Sequence, residues 1–268
     1  MDDKYQVASF LTIGNWREYL IEAWGLGMFM VAAGVVVTVL ESPEYPGVEM
    51  IPNAFIRRAI VGIAMGLTAI AIIYSPWGKR SGAHINPAVT ITFFRLGKIK
   101  LQDALGYILA QFIGGWLGVL LVVFLFGEAF TTPPVNYVVT VPGSGGWLIA
   151  SIAEFILSFT LMLMVLIVSN STKIATFTGI FSGILVATFI TFEAPLSGMS
   201  INPARTFASA LPASIWTDFW LYYFIPPLAM LSAAELYLRQ FSKQKVICSK
   251  LCPNSETPCV AIKCCQHE

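Results

Sequence analysis

Between Leu101 and Thr172 the chain carries no Lys or Arg, and its only acidic groups in that stretch are Asp103, Glu128 and Glu154. A stretch so poor in charge makes an unfavourable water-facing surface. It is long enough to cross a bilayer twice, because a helix rising about 1.5 Å per residue needs about 20 apolar residues to span a hydrocarbon core about 30 Å thick. The rest of the sequence follows suit. Charged residues are 12% of the 268, against about 25% in a soluble domain. Sixteen Lys+Arg against fifteen Asp+Glu leave a net charge of +1. That balance argues against a water-borne enzyme and against a basic nucleic-acid-binding surface. Six segments, near 17–40, 56–75, 101–126, 147–169, 174–193 and 216–238, are predicted to span the membrane. Their unbroken apolar lengths favour helices over barrel strands, which are shorter and alternate. The first, starting at Trp16, reads as a retained span rather than a cleaved leader.

Orientation follows from the basic residues of the connections. With six spans both termini share a side. That side collects thirteen Lys and Arg, from Lys4 and Arg17 to Lys250 and Lys263, while Arg57, Arg58 and Arg205 fall on the other. The termini are therefore expected in the cytoplasm. The expected layout is a cytoplasmic N-terminus (1–16), a channel domain (17–238, with halves 17–126 and 147–238) and a cytoplasmic Cys-rich tail (239–268).

Two segments between the spans repeat each other. Residues 81–90 read SGAHINPAVT and residues 198–207 read GMSINPARTF; each follows the second span of a three-span half. Glu22 and Glu154 lie early in the two halves. Three spans is an odd number, so the second copy is inverted relative to the first, and the Asn-Pro-Ala segments enter from opposite faces to meet near the midplane. Pro87 and Pro203 suit the first position of a helix, where no N–H is needed. Asn86 and Asn202 then stand at the N-caps, followed by Ala88 and Ala204. The short helices that follow cannot span, so they are re-entrant half-helices whose positive ends face the membrane centre. A cation meets a barrier there, whereas a neutral oxygen-bearing molecule accepts hydrogen bonds from the Asn amides.

With these motifs, together with Gln111 in the third span, residues 16–238 resemble the aquaporin and glycerol-facilitator family, the major intrinsic proteins. The resemblance implies an all-α membrane protein of six transmembrane helices plus two re-entrant half-helices in an inverted repeat. It also implies a homotetramer with one pore per subunit, and loops braced by Glu22 and Glu154. By the same resemblance His84 lines the cytoplasmic half of the pore. The selectivity filter would be Arg205, Ile190, Met199 and, in the second span, Met65 or Gly66. Ile190 replaces the His of water-selective members, and Thr206 replaces the Asp that follows the Arg in glycerol facilitators. Ala210, Tyr222 and Tyr223 look more like the water-channel branch.

The function implied is a passive channel for water and small uncharged solutes (glycerol, urea, ammonia or hydrogen peroxide), without cofactor, metal or nucleic acid, in the plasma membrane. A channel mainly for glycerol or another neutral solute is the alternative. A secondary transporter and a closed-pore scaffold are rivals; a transporter would need midplane coupling-ion sites, for which no Asp, Lys or His is evident. Glycines such as Gly62, Gly114 and Gly183 permit close helix approach. All five Cys (248, 252, 259, 264 and 265) follow residue 247, with His267 beside them. Incidental thiols and lipidation rank above metal binding, since the spacing matches no common zinc site.

Overall fold

The computed structural model describes residues 15–240, 246 and 248–252. Lys4, Cys259, Cys264, Cys265 and His267, and the expected N-terminal segment up to residue 14, lie outside them. Eight helices of nine residues or more build the described chain: α1 (Trp16–Glu41), α2 (Ala54–Tyr74), α3 (Pro87–Arg95), α4 (Leu101–Phe126), α5 (Gly146–Ser169), α6 (Thr178–Ser197), α7 (Pro203–Ala213) and α8 (Phe219–Gln240). Six of them are long and apolar enough to cross a membrane. The exceptions are α3 and α7, of nine and eleven residues.

Packing follows the inverted repeat. In the first half α1 lies along α4, in the second α5 lies along α8, and α2 meets α6 across the centre. Each half-helix packs on the last span of the other half, α3 on α8 and α7 on α4. The two halves therefore interlock, and the two larger apolar clusters each draw on both. Small residues make the contacts close: a Cβ on Gly114 of α4 would stand 2.0 Å from the Ala23 carbonyl oxygen of α1.

Helix α4 shows how such a fold inverts the soluble pattern. Leu105, Leu109, Ile113, Leu117 and Leu121, each four residues on from the last, lie on one face and are 44–62% exposed. The opposite face carries Tyr107, Gln111, Gly114 and Gly118, all buried. The greasier face points outward, as lipid or another subunit requires.

Two helices depart from the lengths expected. The fifth span begins at Thr178, after a 3₁₀ turn over Ala175–Phe177, and runs four residues past 193. It contains Pro195, which has no N–H for the carbonyl of Thr191. Arg58 Nε donates to that carbonyl instead, at 2.8 Å, so the helix continues to Ser197 and ends on left-handed Gly198. The last span begins at Phe219 rather than 216. Between α7 and α8 the chain turns through left-handed Ser214 and Asp218.

Candidate functional site

The two Asn-Pro-Ala segments are built alike. Asn86 Oδ1 accepts from the Ala88 N–H at 2.8 Å, and Asn202 Oδ1 accepts from the Ala204 and Arg205 N–H groups at 3.0 and 3.2 Å. Each Asn thus caps its half-helix, with Pro at the first helical position. The amide nitrogens cross: Asn86 Nδ2 donates to the Ile201 carbonyl and Asn202 Nδ2 to the Ile85 carbonyl, both at 2.8 Å. The positive ends of α3 and α7 are thereby tied together. Each Asn amide keeps a second hydrogen to which no acceptor among the described residues is assigned, and both side chains line one cavity.

Glu22 and Glu154 are fully buried and accept hydrogen bonds from the two loops. Glu22 Oε1 accepts from the Ser81 hydroxyl (2.7 Å) and the His84 N–H (3.1 Å), and Oε2 from the Ile85 N–H (2.6 Å) and Gln111 Nε2 (2.9 Å). Glu154 Oε1 accepts from the Ser197 hydroxyl (2.8 Å) and the Ser200 N–H (2.6 Å), and Oε2 from the Ile201 N–H (2.7 Å). The loops need such braces because they are strained. Ala83, Ile85, Met199 and Ile201 sit at φ of 52°, 41°, 50° and 50°, a region that non-glycine residues avoid unless the surroundings hold them there.

The bracing also decides which polar groups face the cavity. In the second loop Gly198 N–H goes to Ala194 O, Met199 N–H to Ser197 Oγ, and Ser200 and Ile201 N–H to Glu154. With those donors engaged, the backbone groups left to Gly198–Ser200, which line the cavity, are carbonyl acceptors. Donors toward the cavity come from Asn86, Asn202 and Arg205.

The cavity has a volume of ≈ 460 Å³. Its wall follows α2 in steps of three or four residues, Ala54, Arg58, Val61, Met65, Ala69 and Ile73, and α6 through Ala194, Ile190, Val186 and Ser182. Met65, Ile190, Met199 and Arg205 all line it. Gly66, the alternative to Met65, is not among the lining residues; a Cβ there would lie 2.5 Å from the Gly183 carbonyl, so it belongs to the α2–α6 contact. Arg205 is buried, no ion pair holds it among the described residues, and its Nη1 has no hydrogen-bond partner. His84 lines the cavity too, stacked on Phe93, with Nδ1 3.1 Å from Thr90 Oγ1.

Several residues of the site were not singled out from sequence. Ser81 and Ser197 pair with the two glutamates, while the Tyr107 and Tyr222 hydroxyls donate to the carbonyls of those serines at 2.7 and 2.6 Å. The signal was present: extending the aligned repeats upstream matches Ser81-Gly82 with Ser197-Gly198. In the tail, Val246 and residues 248–252 are buried.

The family model for major intrinsic proteins matches residues 9–237. Aquaporin NIP1-2 of Arabidopsis thaliana is 33% identical over 181 residues, which is 66% of this chain and 61% of that protein. The probable aquaporin AqpM of Archaeoglobus fulgidus is 38% identical over 184 residues, 66% of this chain and 74% of that one. The chain thus matches less than two thirds of the plant relative's length. Among solved structures, the aquaglyceroporin from Plasmodium falciparum superposes with a TM-score of 0.68 at 22% identity, over 82% of this chain and 94% of that one; this likeness concerns the fold. With the paired loops, the shared cavity and a model match over most of its length, the chain belongs to the major intrinsic protein family, as an integral membrane protein with six spanning helices.

Proposed function

We propose that the chain is a passive channel for water and small uncharged solutes, moved by their own gradients with no chemical step, and that it excludes protons and other ions. The observation that carries this reading is a single cavity lined by both cap asparagines and by Arg205. At the centre a solute meets two amide donors at the positive ends of two helices, a place that favours a lone pair and disfavours a cation. Further out, Met65, Ile190, Met199 and Arg205 form the filter. One fixed positive group faces an otherwise apolar wall, so a hydrated ion finds too few polar groups to replace its water shell. Carbonyl acceptors of the second loop serve the hydrogens of a water molecule while Arg205 and the asparagines serve its lone pairs. The chain would assemble as a homotetramer in the plasma membrane, with both termini cytoplasmic; the exposed apolar face of α4 suits lipid or a neighbouring subunit.

Stopped-flow swelling and shrinking of proteoliposomes tests this with water, glycerol, urea and ammonia. The expected result is protein-dependent water flux with a low temperature dependence, unsaturated uptake of at least one small neutral solute and no ion current. Saturable, ion-coupled uptake would overturn the reading in favour of a transporter. Impermeability of every form, including one without the tail, would leave only the scaffold.

A further inference from the structure

We propose that the chain closes its own pore, through the segment Ser249–Cys252 seated as a plug at the end of the cavity nearest the chain termini. This rests on the channel reading. The Leu251 N–H donates to the Gly82 carbonyl at 3.0 Å, which is the loop leading into the first Asn-Pro-Ala. His84 Nε2 lies 2.8 Å from the Ser249 carbonyl oxygen. A carbonyl only accepts, so Nε2 carries the hydrogen in this contact, and the ring nitrogen that would otherwise offer a donor to a passing solute is engaged by the tail. The Leu251 side chain forms part of the cavity wall, and Val246, Leu251 and Cys252 join the apolar cluster that contains Met65, Val89 and Phe93.

Burial separates this contact from a loose brush against the surface. Cys248, Ser249, Lys250 and Leu251 are 1%, 3%, 0% and 6% exposed. A lysine in a solvated tail would keep its ammonium in water, yet Lys250 is fully enclosed in the mouth. The far end of the cavity, between Glu41, Ala54 and Arg58, has none of the described tail residues in its lining. A solute arriving there passes the filter and the asparagines, reaches His84, and meets Leu251. Conduction then requires the tail to withdraw, and the observed permeability is the intrinsic one scaled by the withdrawn fraction.

The same enclosure makes the thiols reporters of withdrawal. Cys248 and Cys252 are buried while the plug is seated, so a bulky maleimide, whose double bond the thiol adds across with no leaving group, reaches them only in the withdrawn state and prevents return.

Three forms in proteoliposomes test the plug: the full chain, a chain ending at Gln240, and Leu251→Glu, which keeps the tail but places a charge against the apolar cavity wall. Hydrogen exchange of peptides covering 246–252 is read alongside. The truncated chain is expected to conduct water several-fold faster per protein than the full chain, with Leu251→Glu in between. A tenfold rise would correspond to a plug held by about 1.4 kcal/mol. N-Ethylmaleimide should raise the flux of the full chain and leave the truncated one unchanged. In the full chain the Leu251 amide should exchange slowly. Equal, nonzero permeability of all three forms, or exchange of 246–252 at the rate of a free peptide, overturns the plug. If no form conducts anything, the channel reading fails instead, and slow exchange of 246–252 would still support the seated segment while free-peptide exchange would refute it.

Discussion

The two re-entrant loops share a plan, and three of the differences between them separate what holds the cavity together from what tunes it. Ser81, Gly82, Ile85, Asn86, Pro87 and Ala88 correspond one for one to Ser197, Gly198, Ile201, Asn202, Pro203 and Ala204, with a buried glutamate behind each set. What the halves keep in common is therefore the scaffold: cap, brace and left-handed backbone. The first difference follows the caps, where Val89 in one half corresponds to Arg205 in the other. The second lies behind the brace, where Gln111 adds a fourth bond to Glu22 and no glutamine does so for Glu154. The third is the cover. A Cβ on Gly198 would meet Thr140 and Val141 of the connection between α4 and α5, whereas one on Gly82 would meet Ser249 and Lys250 of the tail. The cover of the second loop lies between two spanning helices, whereas the cover of the first follows the last of them.

Removing a brace tests the shared part and should have the largest effect. Glu154→Ala orphans the Ser200 and Ile201 N–H groups beside a strained backbone. At about 1–3 kcal/mol for each buried donor left unmade, the loss is about 2–6 kcal/mol, read as a large fall in thermal stability in detergent. Glu22→Ala should match it. The glutamine variants separate the halves. In Glu154→Gln the new amide group faces an N–H on either side, costing about 1–3 kcal/mol. In Glu22→Gln it also faces an N–H on either side, His84 at Oε1 and Ile85 at Oε2, but at Oε2 one of its hydrogens can be met by Gln111, whose Oε1 is without a partner and becomes an acceptor if its amide turns over. Glu22→Gln should therefore be the milder of the two, and equal losses would show that Gln111 does not adapt.

Replacing Arg205 by the valine its counterpart carries tests the first difference. Arg205→Val removes a bulky buried guanidinium from the cavity wall without touching either brace. Glycerol and urea permeability should rise about tenfold, equivalent to about 1.4 kcal/mol off the barrier, with water flux kept and ion current appearing under voltage. The converse change, Val89→Arg, should block flux, because a second bulky guanidinium would then stand in the lining beside the cap asparagines. An Arg205→Val protein with unchanged solute selection would remove Arg205 from the filter.

Much of this was legible locally. Helix α4 has the bounds read from its apolar run, Leu101–Phe126, because Lys100 and Gly127 flank it. The caps were legible because Asn-Pro acts within three residues of itself. The braces were legible as positions but not as bond lists, since the donors arrive from segments 43 to 89 residues away. The sequence leaves Met65 and Gly66 as alternatives, and only the stripe along α2 places Met65 on the cavity. The fifth span is expected from sequence to end at 193; it runs on through Pro195 because Arg58, 133 residues from the carbonyl it satisfies, allows the helix to continue. The seated tail was not legible at all, because its cysteines drew attention while the contacts are made by the Ser249 carbonyl and the Leu251 amide and side chain.

A smaller effect is expected for Gln111→Leu, which tests the second difference. It removes the bonds from Gln111 Nε2 to Glu22 and Thr90, at 2.9 and 3.1 Å, and leaves the other three donors to Glu22 in place. The loss should be about 1 kcal/mol for a net hydrogen bond, and in the Gln111→Leu background the advantage of Glu22→Gln over Glu154→Gln should vanish. Persistence of that advantage would place its origin elsewhere in the first half.

The smallest effect is the absence of one, and it concerns the third difference. Every cysteine follows residue 247, and none of the described residues that line the cavity is a cysteine, so no thiol stands in the proposed conducting path itself. Burial pushes the Cys252 thiol above its ordinary range, an effect partly offset by Lys79 and Lys250, and a thiol reacts with mercurials as thiolate. A mercurial should therefore act on the full chain slowly and only through the tail, raising flux as the plug is prevented from returning. The chain ending at Gln240 should conduct at the same rate with and without the reagent. Fast block of that truncated chain would mean that mercury reaches a group in the spans other than a thiol, and the contrast between a fixed cover on one face and a removable one on the other would lose this line of support.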